Sequence, residues 1–412
     1  MMKKLNFTAK MLIAMVLGIA AGLIFGPKIS SLKFIGDIFL RLVQMCVVPL
    51  IMGQIIEAVG TPDPKEIGKV GSKTIAIFAI SSLLAAMFGI VMGLVFKPGS
   101  GMDLSAAQDL TVSVGNSSFI DTLVGFVPSN IFDAMAKGVI IQVITFSLFF
   151  GIGVGLYPKK DKKAQFLDLL HTFNDIIMKV ITIVMNLAPI GIGILLASTV
   201  GQMGKQVILP LAKYLLVFGL GTFIFLILWI VYTAAKVKVN ILKLLPKLIP
   251  MSLLAIATTS SAVTLPTEMK DAREKIGISD RIANLVLPLG MPLNSNGAAM
   301  HMAITVITAA QIYGVSYGFG DYIYIAIMAT LLSLANAVAP GADIVSLAMI
   351  IPQVGLPIEA IAIFAGVGYF VGALRTILNV DSDVFTAMLV AKSENELDYD
   401  VFNETTTIEE KV

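Results

Sequence analysis

Charged residues are scarce in this chain of 412 residues. Only 14% of the residues are charged, 57% are hydrophobic, and the mean hydropathy is +0.90. A soluble domain carries about 25% charged residues, so the polar groups here are too few to cover a surface that faces water. The composition therefore predicts an integral membrane protein.

Other residue types are also rare, and each shortage excludes a class of function. The one cysteine, Cys46, cannot form an intramolecular disulfide or a thiolate cluster and is expected to pack as a small apolar side chain. His171 and His301 are far apart in sequence, which leaves little for a zinc or haem site, and His301 and Met300 are expected to be packing residues. A net charge of +2 and a single Trp give no surface for nucleic acid. No nucleophile–base pair or nucleotide-binding loop is visible, so the chain is not expected to be an enzyme.

Long apolar runs predict membrane-spanning helices. A helix needs about 20 mostly apolar residues to cross a bilayer, and these runs do not alternate as barrel strands do. The first of them is not expected to be a cleaved signal peptide, because no small-residue cleavage site follows it. The first six spans are predicted at 9–25, 34–59, 73–96, 131–156, 166–200 and 208–235.

The distribution of lysine and arginine predicts the orientation in the membrane. The segment before the first span and the loops after the second, fourth and sixth are rich in lysine, whereas 98–130 contains no Lys or Arg. Because positive loops face the cytoplasm, we expect a multi-pass protein of the cell (inner) membrane, embedded in the lipid bilayer, with both termini cytoplasmic. Residues 393–412 are expected to be an acidic, mobile cytoplasmic tail.

After residue 235, polar residues and prolines interrupt the apolar runs. Segments 247–266 and 322–352 are predicted to be re-entrant hairpins, because a full crossing of the first would place a cationic loop outside. Spans 281–312 and 356–391 follow them and complete eight transmembrane helices. Two hairpins that enter from opposite faces are typical of an inverted repeat with a binding site near the midplane.

Three polar residues of the last span share one helical face, because Arg375, Asn379 and Asp383 are spaced four residues apart. Arg375 suits bidentate binding of a substrate carboxylate, Asn379 a second polar group, and Asp383 an oxygen ligand for sodium. The alternative is a structural Arg–Asp pair that locks the bundle. Asp381 lies on another face and is expected to pair with a Lys or Ser elsewhere.

Three interrupted segments are expected to converge on this face. Thr258–Ser261 predicts a substrate-binding hairpin tip, with a simple helix cap as the alternative. The break at Asn294–Gly297 frees backbone carbonyls of the kind that sodium sites use, unless it is only a bend. Asp343, at the tip of the second hairpin, lies either near the substrate or outside in water.

The ordered set of segments resembles the dicarboxylate/amino acid:cation symporter family, that of the glutamate transporters. The similar segments are 40–50, 128–132, 188–191, 259–266, 287–297, 340–342 and 375–383. The resemblance implies an all-α, glutamate-transporter-like membrane fold of eight transmembrane helices and two re-entrant hairpins, assembled as a homotrimer. It also implies a scaffold domain at 1–72 and 131–235, and a transport domain at 73–97 and 247–392 that moves as an elevator.

The resemblance also implies roles for individual residues. Residues expected to bind substrate are Ser260, Ser261, Pro340, Gly341, Ala342, Asp343, Arg375 and Asn379. Residues expected to bind sodium are Gly290, Asn294, Asn379 and Asp383, with Ser81, Ser82 and Asn296 as a possible second sodium site.

Some positions depart from the family pattern. Asn296 replaces an Asp, which removes a negative charge from one sodium site, so protons are an alternative coupling ion. Gly372 replaces the family's Asp that holds a substrate amino group, and Gly368 replaces another acidic residue. Asp343 stands where Gly is usual. Either the substrate has no amino group, or Asp343 binds it instead.

The expected function is that of a cation-coupled secondary symporter for an acidic amino acid or a C4-dicarboxylate. Sodium ions or protons would be the coupling ions, and no organic cofactor is expected. The alternatives are a carrier of a neutral amino acid or other zwitterion anchored by Asp343, and a substrate-gated anion channel.

Overall fold

The computed structural model describes residues 7–61, 64–101, 124–203, 208–334, 342–365 and 367–404. Regular structure within these ranges is helical, apart from an isolated bridge between Ile278 and Leu397. The predicted all-α class is thus confirmed. The α-helices are α1 Phe7–Phe25, α2 Lys33–Gly60, α3 Pro64–Phe96, α4 Ile131–Lys137, α5 Ile140–Gly155, α6 Lys160–Asn186, α7 Ala188–Met203, α8 Ile208–Val237, α9 Ile241–Thr258, α10 Ser261–Glu274, α11 Asp280–Leu293, α12 Asn296–Tyr313, α13 Phe319–Ser333, α14 Ala342–Ile350, α15 Ala360–Ala365, α16 Gly368–Glu394 and α17 Tyr399–Asn403.

Several helices are long and apolar enough to cross a bilayer. Within the described ranges, four stretches pass a test of length and hydropathy, or five if one bent pair counts as a single span. The four are Val16–Glu57, Val70–Phe96, Leu209–Val237 and Ile241–Thr258. The chain is therefore a multi-pass membrane protein.

Two predicted spans are not single straight helices. The span predicted at 131–156 breaks at Gly138, which adopts a left-handed conformation with φ 67° and ends α4. The span predicted at 166–200 consists of α6 and α7, which are bent by 51° at Leu187. Pro189 lies in the first turn of α7, where its missing N–H is tolerated.

The first predicted hairpin consists of α9 and α10. Thr259 ends α9 in a left-handed conformation, and Ser260 is extended, so the chain reverses at this point. The Ser260 hydroxyl accepts from the Val263 N–H at 3.5 Å and so caps α10. The two helices pack against each other and against α16. Although α9 is long enough to cross a bilayer, it turns back into α10.

The second predicted hairpin consists of α13 and α14. These helices pack against each other and against α12. The tip at 335–341 lies outside the described residues, so Pro340 and Gly341 do too, as does the side chain of Ala342. Asp343 lies in the first turn of α14.

The span predicted at 281–312 is broken where the sequence indicates. Helix α11 ends at Leu293, one residue after Pro292, and α12 begins at Asn296. Every residue of α12 except Gln311 is buried. Helices α3, α13 and α16 surround α12, so this break is held within protein rather than lipid, as unwound backbone at membrane depth requires.

The helices form two packed groups. Helices α1, α2, α5, α6 and α7 form the first group. In the second group, α3, α8–α12 and α14 pack against α16, and α13 packs against α3, α12 and α14. Helix α8, which covers the predicted span 208–235, packs against α16 and α3. Contacts between the two groups run through α14 with α2 and α15 with α7.

The chain after α16 folds back onto other helices. The Asp398 N–H donates to the carbonyl of Gly277 at 2.8 Å, and the Tyr399 hydroxyl donates to the carbonyl of Val237 at 2.7 Å. Glu396 accepts from the side chains of Ser279 and Arg281. The described residues up to Glu404 thus contact other helices, and the rest of the segment predicted as a mobile tail lies outside the described residues.

Candidate functional site

The candidate site is built on α16, the most central helix of the second group. Its residues Arg375, Asn379 and Asp383 are 4%, 7% and 1% exposed. Because they are four residues apart, they lie along one face, and each meets a different part of the surrounding structure. Buried polar residues at membrane depth are costly and mark functional sites by default.

Asp383 faces the break between α11 and α12. Its Oδ1 accepts a hydrogen bond from the Asn294 amide at 2.7 Å. A Cβ at Gly290 would lie 2.3 Å from the same oxygen, so only glycine allows the carboxylate to approach the α11 backbone. A buried carboxylate, the ligand type that hard cations prefer, therefore lies against the α11 backbone beside the break.

Asn379 joins α16 to the first turn of α12. Its Oδ1 accepts from the Gly297 N–H at 2.7 Å. A Cβ at Gly297 would lie 2.2 Å from the backbone carbonyl of Arg375. The two helices thus approach closely, so the beginning of α12 is fixed beside the face that carries Arg375.

Two serines of α3 meet the other side of the break. Ser82 and Ser81 both donate to the Asn296 Oδ1, at 2.7 and 3.2 Å. The Ser81 hydroxyl also lies 3.4 Å from the Asn294 Oδ1. The residues expected to form a second sodium site are therefore brought together, but they are joined by hydrogen bonds among neutral groups. Within the described part of the chain, the amide nitrogen of Asn296 has no hydrogen-bond partner.

The tip of the first hairpin lies against α16. A Cβ at Gly372 would be 3.7 Å from the Cβ of Thr259, and Gly372 precedes Arg375 by less than one turn. Ser260 is buried and Ser261 is half-buried. The hydroxyl groups of the tip and Arg375 therefore belong to one region of the molecule.

Asp343, in the first turn of α14, is a further residue near Arg375. Its side chain is 6% exposed, and its carboxylate interacts electrostatically with the Arg375 guanidinium. The sequence allowed Asp343 to lie either near the substrate or outside in water, and the structure shows it buried. A Cβ at Gly368 would lie 2.3 Å from the Asp343 Oδ2, so this carboxylate occupies space that a side chain at Gly368 would need.

A buried polar cluster beside Arg375 was not predicted as functional. The hydroxyls of Tyr214 and Thr305 share a hydrogen bond of 2.8 Å, and Tyr214 interacts electrostatically with Asp343. His301, on α12, packs against the ring of Phe218 and interacts electrostatically with Arg375. Its packing agrees with the prediction. Its Nδ1 is buried and finds no hydrogen-bond partner among the residues that the structure describes, which an isolated His in a sequence does not indicate.

Glu268 is a second residue that the sequence analysis missed. It lies on α10, is 1% exposed, and interacts electrostatically with Asp383 and Asp381. Asp381 accepts from the Ser252 hydroxyl at 2.8 Å, as the predicted pairing with a Lys or Ser required. Among the described residues, no basic side chain forms an ion pair with these carboxyl groups. Lys247 on α9 pairs with Glu404 instead, and Lys275 after α10 pairs with Asp271.

Together these features define a class of protein. A helix broken within the membrane domain, two helical hairpins and a buried cation–carboxylate set are characteristic of secondary transporters, in which a small solute and a coupling ion bind near the midplane. No comparable grouping of His, Cys, Asp or Glu that could hold a metal cofactor occurs in the described part of the chain.

Comparison with known proteins identifies the particular family. Residues 7–393 match the sodium:dicarboxylate symporter family. The proton/sodium-glutamate symport protein of Bacillus caldotenax is 31% identical over 96% of both chains. The C4-dicarboxylate transport protein of Bacillus subtilis (strain 168) is 30% identical over 95% of this chain and 94% of its own. The proton/glutamate-aspartate symporter of Escherichia coli (strain K12) is 31% identical, with 96% and 95% covered.

The chain therefore belongs to the sodium:dicarboxylate symporter family. This confirms the family that the sequence segments resemble, and it confirms that the chain is a cation-coupled symporter and not an enzyme. Two of these relatives, those of Bacillus caldotenax and Escherichia coli, are named as proton/sodium and proton symporters, in agreement with the prediction of a cation as coupling partner.

Proposed function

We propose that this protein moves a small carboxylate substrate, an acidic amino acid or a C4-dicarboxylate, across the cell membrane together with sodium ions or protons. The relatives named above suggest these two substrate classes. In this proposal Arg375 binds a substrate carboxylate, Asn379 a second polar group, and Ser260, Ser261 and the second hairpin tip complete the site. Asp383, Asn294, Asn379 and Gly290 hold the coupling cation.

One observation supports the proposal most directly. Arg375 and Asp383 lie two helical turns apart on one buried face, and the residue between them, Asn379, holds the start of α12. Guanidinium binds carboxylate in bidentate fashion, and a carboxylate beside freed backbone suits a monovalent cation. An anion and its driving cation can therefore bind on neighbouring turns, where each offsets the charge of the other.

The finer architecture is part of the same proposal. It has eight transmembrane helices and two re-entrant hairpins arranged as inverted repeats, with both termini cytoplasmic. The protein assembles as a homotrimer, whose scaffold stays fixed while the transport domain slides as an elevator. The packing of α8 against α3 and α16 favours placing 208–237 in the transport domain. This differs from the sequence-based expectation, which placed 208–235 in the scaffold.

The proposal is tested by uptake into proteoliposomes. Purified protein is reconstituted, an inward sodium gradient or an inward proton gradient is imposed, and accumulation of labelled L-aspartate, L-glutamate and succinate is followed. With at least one of the two gradients, we expect saturable accumulation of substrate above its outside concentration. Without a gradient, we expect no accumulation. Arg41→Ala, which removes an exposed arginine of α2, serves as the control for Arg375→Ala.

The same experiment separates the alternatives. A substrate-gated anion channel would give flux of small anions that follows only their own gradient, without accumulation. A carrier of neutral amino acids would accumulate L-serine or L-alanine but neither acidic compound. Either outcome would replace the proposed function.

A further inference from the structure

The carboxylate of Asp343 is held in a fixed position within the membrane domain. It accepts hydrogen bonds from the backbone N–H groups of Asp343 and Ile344, at the beginning of α14. A carboxylate has about four acceptor positions on its two oxygens, so these contacts leave capacity for a further donor. The side chain is 6% exposed, which makes an additional donor energetically favourable.

Gly368 provides the space for this carboxylate. A Cβ at that position would lie 2.3 Å from the Asp343 Oδ2, far inside van der Waals contact. The Asp343 side chain therefore crosses from α14 to the first turn of α16 because Gly368 has no side chain. From that position it interacts with Arg375, two turns further along α16.

The charge balance of the pocket follows from this pair. Among the described residues, the charged group that interacts with Asp343 is Arg375. Tyr214 adds a neutral hydroxyl that is hydrogen-bonded to Thr305. One positive and one negative side chain sum to zero. A dianion would meet attraction from Arg375 and repulsion from Asp343, whereas an ammonium group on the same molecule would interact favourably with Asp343.

We propose that Asp343, in the niche that Gly368 leaves open, binds the amino group of the substrate, so that this transporter selects amino-acid anions over C4-dicarboxylates. The inference rests on the proposed function and narrows its substrate class. Under this proposal Asp343 and Gly368 determine specificity together. Asp343 supplies the negative charge, and Gly368 leaves space for its carboxylate.

L-aspartate and succinate test the inference as a matched pair, because they share one carbon skeleton and differ in the amino group. Each is titrated as a competitor of labelled L-aspartate uptake into sodium- and proton-energised proteoliposomes, and succinate uptake is measured directly. We expect the wild type to prefer L-aspartate by about tenfold or more, the effect of one charge-assisted hydrogen bond.

Two single variants remove the selection by different routes. Asp343→Asn keeps the shape and removes the charge, so L-aspartate should lose about tenfold in apparent affinity while succinate is unchanged or binds more tightly. Gly368→Ala keeps the charge but displaces the carboxylate, and it should also lower the ratio of the apparent affinity for L-aspartate to that for succinate. The controls are Asp168→Asn, an exposed Asp of α6, and Gly320→Ala, where a Cβ meets nothing within 4 Å.

Exchanging the two residues gives a sharper test. The double variant Asp343→Gly with Gly368→Asp presents a carboxylate from the other side of the same contact. We expect it to recover part of the preference for L-aspartate that Asp343→Gly alone loses, which a merely structural role of Asp343 would not produce.

The results that overturn the inference differ from those that overturn the proposed function. A wild type that prefers succinate, or an Asp343→Asn variant that weakens both ligands equally, shows that Asp343 does not select an amino group, while symport of a carboxylate still stands. If neither ligand is transported under any gradient, the proposed function fails, and the inference fails with it.

Discussion

Arg375 is the residue that we propose to bind a substrate carboxylate. We expect Arg375→Ala to reduce uptake of acidic substrates by about 100-fold or more, since the loss of a buried charged partner costs several kcal/mol. Arg375→Lys should recover little, because lysine lacks the planar fork. Uptake by reconstituted variants, with Arg41→Ala as the control, measures the effect.

Retained uptake in Arg375→Ala at equal protein levels would remove Arg375 from the site. Expression and gel-filtration behaviour of the variant separate this result from misfolding.

Gly290 offers a test of the proposed cation site that leaves every polar residue in place. Alanine there would put a methyl group 2.3 Å from the Asp383 Oδ1 and push the carboxylate from the break. We expect the sodium or proton concentration for half-maximal uptake to rise about tenfold or more, with a smaller change in maximal rate. Gly320→Ala controls for a glycine substitution in a helix. An unchanged cation dependence would place the coupling ion elsewhere.

The sequence predicted individual residues unevenly. The spacing of Arg375, Asn379 and Asp383 is enough to place them on one face, because helical periodicity depends on the backbone alone. Glu268 could not be found in this way. It is one of several charged residues in α10, a pattern typical of a solvated helix end, and only the packing of α10 against α16 buries it.

At the scale of elements, the break between α11 and α12 lies between the proposed substrate site and the proposed cation site. Pro292, Asn294 and Gly297 indicate this break in the sequence, since proline removes a helix donor and glycine permits close approach. The break at Gly138 and the bend at Leu187 were not predicted. Hydropathy is continuous through both, and hydropathy measures burial in lipid rather than the direction of a helix axis.

Asn296 offers a test of the break between α11 and α12, because its side chain accepts the hydrogen bonds that join this break to α3. Asn296→Asp would place a carboxylate where Ser81 and Ser82 donate. We expect tighter sodium binding and a steeper dependence of substrate binding on sodium concentration, since a carboxylate would add the charge that this group of neutral side chains lacks. The measurement is ligand binding across a sodium series in wild type and variant. A dependence of the same midpoint and slope in both proteins would argue against a cation at this position.

At the scale of the whole molecule, the chain after α16 connects the ends of several helices at one face. The hydrogen bond from Arg281 holds the pKa of Glu396 below its ordinary value, with a further contribution from the Ser279 hydroxyl. A lowered carboxyl pKa stabilises the folded state above the ordinary Glu pKa of about 4.3, and this stabilisation is lost as the pH falls through the lowered value.

We therefore expect Glu396→Gln to lower the melting temperature at pH 7, by a small amount because the pair is partly exposed. The difference from wild type should shrink below about pH 4. Melting curves across pH test this, with Glu274→Gln, an exposed glutamate paired at 3.8 Å, as the control. A difference that is independent of pH would show that the segment is fixed by its backbone contacts and Tyr399 alone.

The central claim is that a carboxylate bound at Arg375 and a cation bound at Asp383 stabilise each other. The most direct measurement is the affinity of the purified protein for L-aspartate and succinate, over a series of sodium concentrations and pH values, in wild type and Asp383→Asn. Binding linkage is reciprocal, so we predict that affinity rises with one of the two cations in the wild type and loses that dependence in the variant. An affinity that is the same at every sodium concentration and every pH would contradict the account.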